Sequence, residues 1–174
     1  MPGKLWSNTR EWHHKCEDHP VGSSMASGSP PIEWYAEWLL SLLIIHDKID
    51  PYMPKCVRRS VLLADDIKSL GISPRLVPSA IQFSIDFQKD ENEIMGFAYV
   101  LTGAHLMGGE IMRRRLKNYP TKHLTWDDRK AALEYLQSLR DCSQYTEGAL
   151  NCFKTLYEIM EEILKISNNA PVVK

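Results

Sequence analysis

The stretch YVLTGAHLMGGEIMRRRL, residues 99–116, decides how this chain is read. Apolar Val100, Leu101, Leu106, Met107, Ile111, Met112 and Leu116 recur at helical spacing and lead into a basic end, which predicts a helix. Gly103, Gly108 and Gly109 lie inside it, and each interior glycine costs about 1 kcal/mol relative to alanine. No proline follows until Pro120, so the glycines do not mark its end. Two explanations compete. Small residues allow two helices to cross closely, or they bring bare backbone against a flat ligand while the helix bends.

Outward from this stretch, helical periodicity runs through nearly the whole chain and strand signals are almost absent, so the expected fold is all-α. Helices are expected over Lys4–Asp18, Ile32–Asp50, 54–71 with Gly71 as the C-terminal stop, Ser79–Lys89, Glu91–Lys117, 124–141 and Gln144–Ile166. SSMASGSPP (23–31) reads as a turn-rich connection, and Thr125 with Asp128 reads as a capping box. This gives about seven helices in one domain, 1–174, with about 167–174 as a flexible tail.

At 174 residues, 44% hydrophobic and 25% charged, the composition is that of a globular protein with a full core. The formal net charge of −1 supplies no overall field for nucleic acid or anionic membrane, and no nucleic-acid partner is expected. Cys16, Cys56, Cys142 and Cys152 are widely spaced without a CxxC pair, so reduced thiols are expected rather than a zinc site or disulfides. The polar N-terminus lacks the apolar core of a signal peptide, and WLLSLLII (38–45) is too short to span a bilayer. A cytoplasmic protein without a membrane anchor is the expectation.

A second motif is TREWHHKCE, residues 9–17. His13 and Glu17, four apart, share a helix face, while His14 points about 100° away. Such a pair is either an ordinary surface couple or a carboxylate orienting an imidazole whose other nitrogen is free to bind a metal. Arg113, Arg114 and Arg115 spread over about 200° of helix, so part of this basic run is solvated and favours the helix C-terminal dipole. The remainder is either equally bland or a docking point for an acidic partner. Trp34, Trp38 and Phe153 read as packing residues, although Phe153 is also a candidate pocket wall.

The two motifs together resemble haem oxygenase. TREWHHKCE is similar to the family's proximal segment, and the resemblance makes His13 the iron ligand, Glu17 its hydrogen-bonding partner and Arg10 a basic residue near a haem propionate. YVLTGAHLMGGEIM resembles the distal helix, with Tyr99, Gly108 and Gly109 in register and the glycines lying close over the haem face. The stretch from Ser29 to Asp50 resembles the family's second helix. The resemblance extends through about residue 117. Two positions depart from it: Ala104-His105 stands where the family has Gly-Asp, and Leu101 where a basic residue is common. His105 admits three roles: holding distal waters, ligating iron from the distal side, or simply packing.

The resemblance implies an all-α haem oxygenase-like fold with haem between the first helix and a glycine-kinked distal helix. Haem would be both cofactor and substrate, cleaved with dioxygen to biliverdin (the IXα isomer by family analogy), iron and carbon monoxide. No flavin or nicotinamide motif is present, so electrons are expected from an external donor, a ferredoxin. On this reading the catalytic residues are His105, Gly108 and Gly109, and the haem-binding residues are Arg10, His13, Glu17, Tyr99, Gly108 and Gly109. The competitors are a haem-binding or storage protein of the same fold without turnover, a relative using its pocket for another ligand or metal, and an interaction scaffold.

Overall fold

A computed structural model describes residues 3–168. α1 (Lys4–Asp18) stops where His19 precedes Pro20, because a residue before proline is pushed out of the helical region; His19 sits at φ −63° and ψ 139°. The same histidine starts α2 (Pro20–Ser27). Its Nδ1 accepts the Val21 N–H at 3.1 Å, and Nε2 meets Glu161 at 3.0 Å. Much of the expected connection is therefore a two-turn helix, closed by Gly28 at φ 86°. A Cβ on Gly28 would also fall 2.6 Å from the Arg115 carbonyl oxygen.

α3 (Ile32–Ile49) carries a buried row that includes Tyr35, Leu39, Leu42, Ile45 and Ile49, followed by a single 3₁₀ turn at Asp50–Tyr52. The next helix starts later than expected: α4 spans Ser60–Leu70, because the Asp50 carboxylate accepts the N–H groups of Arg59 and Ser60 and fixes the entry. Gly71 closes it at φ 69°, as expected. α5 (Pro78–Asp86) leads to α6 (Glu91–Gly103), which Asp90 caps by accepting the Glu93 N–H at 2.8 Å.

The expected long helix 91–117 is broken. Ala104–Gly108 forms a π turn, in which the Gly109 N–H reaches the Ala104 carbonyl, and α7 covers Gly109–Arg115. The expected capping box also differs. The Thr125 hydroxyl bonds the Lys122 carbonyl, while Asp128 itself caps α8 (Arg129–Leu139) by accepting the Ala131 N–H. α9 (Thr146–Asn168) completes nine α-helices among the described residues, against seven expected. Of the expected tail, 167 and 168 belong to α9 and 169–174 lie outside the described residues.

α9 is the central post, with α1, α2, α3, α5 and α6 packed around it. Its contact with α6 is the tightest. A Cβ on Gly96 would lie 2.3 Å from the Ala149 nitrogen, and one on Gly148 would lie 2.6 Å from the Glu93 Cα. Among the described residues no helix is long and apolar enough to cross a membrane. Because backbone cannot yield as a flexible side chain does, Gly96→Ala overpacks this crossing and is expected to cost about 2 kcal/mol. That corresponds to a fall in Tm of about 4–8 °C, measured by thermal unfolding.

Candidate functional site

α1 presents His13 beside α9. The imidazole packs edge-on against Trp6, with ring centroids 4.7 Å apart, and against Phe153 of α9 at 5.8 Å. Its Nδ1 is buried and 3.3 Å from a Glu17 carboxylate oxygen, without the alignment of a full hydrogen bond. No other side chain among the described residues takes Nε2, and the His13 side chain keeps 30% of its exposure. Burial lowers the imidazole's pKa below its ordinary value; Glu17 opposes this and His14 adds to it. The ring is therefore neutral at neutral pH, the form that ligates a metal.

The neighbouring predicted residues diverge. Arg10 and His14 line an open cleft of about 950 Å³ with Glu11, Lys15 and Tyr157, a set that does not include His13. Tyr99 is half-buried on α6, where burial raises its phenol pKa; nearby Arg140 counters this and Asp141 reinforces it. Arg113 and Arg114 pair with Glu110, whereas Arg115 donates to the Ala26 carbonyl at 2.8 Å and ties α7 to α2. The basic run is thus partly a structural tie.

The π turn separates its residues by side. Ala104, Met107 and Ile111 are exposed, Met107 at 59% and Ile111 at 54%, and a Cβ on Gly108 would meet nothing within 4 Å. Gly108 also has ordinary helical dihedrals, so neither crowding nor backbone strain requires a glycine there. Gly103 is nearly as unconstrained, with its nearest contact at 3.7 Å. Gly109 faces inwards, where a Cβ would press on Leu124 at 3.1 Å.

His105 is buried, 5% exposed, among residues that sequence reasoning left without a role. Its ring centroid lies 5.2 Å from that of His46 on α3 and 5.6 Å from that of His123 in the Lys122–Leu124 turn. His46 Nδ1 meets Asp50 at 2.8 Å, and His123 Nδ1 meets Asp66 at 2.7 Å. Burial pushes the pKa values of His105 and His123 down; the Asp66 bond opposes this at His123. Burial alone would raise the Asp50 and Asp66 carboxyl pKa values, but their histidine partners and backbone N–H groups outweigh it and hold both below the ordinary range. The cluster does not converge on an ion: among the described residues no group of three or more His, Cys, Asp or Glu could hold a metal. His46–Asp50 was findable as an i, i+4 pair, but His123–Asp66 spans 57 residues and leaves no local signal.

The fold is similar to the solved structure of haem oxygenase from Leptospira interrogans, with a TM-score of 0.72 over 91% of this chain and 97% of that one, at 15% sequence identity. No family model and no curated protein sequence matches the chain. The likeness shows an all-α haem oxygenase-like fold.

Asp66 is fully buried and accepts from the Lys122 N–H at 3.0 Å, the His123 N–H at 2.9 Å and the His123 ring. Asp66→Ala strands these donors and is expected to cost about 3 kcal/mol in a chemical denaturation experiment.

Proposed function

We propose that the chain binds haem between α1 and the π-bulged segment that follows α6, and cleaves it oxidatively as a haem oxygenase. The observation that carries this reading is the His13 imidazole: flanked by two aromatic rings, with Nδ1 3.3 Å from Glu17 and Nε2 unengaged. The similar fold and the match of both sequence motifs support it.

The residues present fit the group. His13 Nε2 would hold the iron, and Glu17 would favour the tautomer that leaves this nitrogen free. Trp6 and Phe153 restrict rotation of the imidazole and exclude water from its edges. Ala104, Met107, Gly108 and Ile111 offer an open, largely apolar surface that would take the opposite porphyrin face, and Gly108 allows bare backbone to approach. The resemblance would give Arg10 a propionate and Tyr99 a haem contact, although Arg10 lines the cleft that His13 does not enter and Tyr99 lies by Arg140 and Asp141. Bound there, haem would be the substrate and would supply the iron that activates dioxygen, giving biliverdin, iron and carbon monoxide with electrons from an external donor such as a ferredoxin.

His105 is enclosed by His46 and His123, so its part in this reading is to seat the π segment. The storage reading draws on the same surface: its exposed side chains, Ala104, Met107 and Ile111, carry no polar group to assist oxygen chemistry. One experiment separates the two. Purified protein titrated with haemin is expected to give a saturable one-to-one Soret band. That band should decay to a biliverdin spectrum when ferredoxin, its reductase and NADPH are added in air; a band that survives reduction with varied donors favours storage.

His13→Ala is expected to abolish turnover and Glu17→Gln to weaken haem binding about tenfold, while His14→Ala retains both activities. The reverse pattern for the two histidines would remove the ligand assignment. Gly108→Leu is expected to raise Tm slightly, because the Cβ position is open and leucine favours the helix, while weakening haem binding, because an occupant of the open side would meet the new side chain.

A further inference from the structure

We propose that His46, His105 and His123 form an acid-sensitive latch that holds the π segment Ala104–Gly108 against α3 and the Lys122–Leu124 turn, and that protonation of His105 releases the segment. The proposal concerns the chain without any ligand and stands apart from the haem reading.

The three histidines are not equivalent. His46 and His123 each have a carboxylate on Nδ1, Asp50 and Asp66, so each ring faces a negative charge. His105 has no such partner: its Nδ1 is buried with nothing to bond, and His46 Nε2 is likewise buried and unpartnered. Besides burial, the groups that act on His105 are His46, His123 and Arg59, each of which disfavours a proton there, and the Leu101 carbonyl one turn back, which favours it but does not outweigh them. Arg59 cannot swing away. It is 4% exposed, donates to the carbonyls of Cys56 and Thr125, and lies over the Trp126 ring at 3.7 Å.

The ionisable groups on the other elements around the segment are engaged elsewhere. Glu110 of α7 is taken by Arg113 and Arg114, and Tyr99 of α6 faces Arg140 and Asp141. On α8, Lys130 pairs with Glu134 and the Tyr135 hydroxyl donates to the Met95 sulfur. Lys122, in the turn itself, reaches Asp65, and exposed Asp47 of α3 acts on His46 and Asp50 but not on His105. A proton on His105 would thus be buried near the Arg59 cation with no carboxylate of its own, a costly state that the segment escapes by opening. A π turn is the natural place to open, since it already departs from regular α-helical bonding.

The sign follows from the lowered pKa of His105. Closure is fully stabilised above the open-state value of 6.5 and is lost as pH falls through the lower closed-state value. The surface bearing Met107 and Gly108 moves with the latch, whatever it binds.

Hydrogen exchange of the amides in 104–109, corrected for the intrinsic pH dependence, tests this on the ligand-free chain between pH 7.5 and 5. The expected result is a loss of protection approaching tenfold per pH unit below about 6.5, confined to this segment and the 122–124 turn, and absent in His105→Leu. A flat profile, an equal slope in His105→Leu, or loss of protection in step with all of α9 would overturn the latch. Should the variant fail to fold, an NMR titration of the His105 ring in the unaltered chain decides. A pKa below 6.5 coinciding with the loss of protection supports the latch, and an ordinary pKa removes it.

Discussion

The close approach of α6 to α9 is the constraint on which the rest of the structure depends. Gly96 and Gly148 bring two backbones together where any Cβ would collide with main chain on the other helix. α9 also carries α1, α2, α3 and α5, so the crossing sets how α1 and the segment that follows α6 stand relative to each other. Phe153 leaves the same helix to meet the His13 ring, which links the depth of that crossing to the position of the imidazole. A looser crossing would displace the π segment relative to α1 without altering any residue that faces the site.

Two buried carboxylates perform the equivalent task for the π segment. Asp50 collects the Arg59 and Ser60 N–H groups and the His46 ring, while Asp66 collects the Lys122 and His123 N–H groups and the His123 ring. Each is a short, rigid acceptor that satisfies backbone donors which would otherwise be buried unbonded. Together they fix the start of α4 and the turn before α8, and so build the two walls between which His105 sits. The histidines are placed by the carboxylates, and the π segment is placed by the histidines.

What was legible in the sequence was what depends on local pattern. The extent of α1 and the stop at Gly71 follow from periodicity and end signals. α2 was hidden because its cap is a histidine, not one of the usual capping residues, and because serines dilute its apolar pattern. The start of α4 was misjudged because a carboxylate ten residues upstream decides it. In the candidate site, the pairing of His13 with Glu17 was readable at helical spacing. The enclosure of His105 was not, because His123 and Asp66 come together only through the tertiary fold. The glycines of the close crossing escaped notice for the same reason, since nothing in the spacing of Gly96 and Gly148 announces that they meet.

The glycines within the distal stretch therefore divide by cause. Gly109 faces Leu124, and its small size is used in packing. Gly108 has no such use: its dihedrals suit any residue and its Cβ position is empty. Alanine there would favour the helix by about 1 kcal/mol, so stability alone argues against the glycine. A fold that already contains one irregular turn would gain from a stiffer residue beside it. What glycine adds at that point is access to the main chain from the open side, next to Ala104, Met107 and Ile111. Access of this kind serves a partner surface that is flat and comes within van der Waals distance of the backbone, and a porphyrin face has that shape.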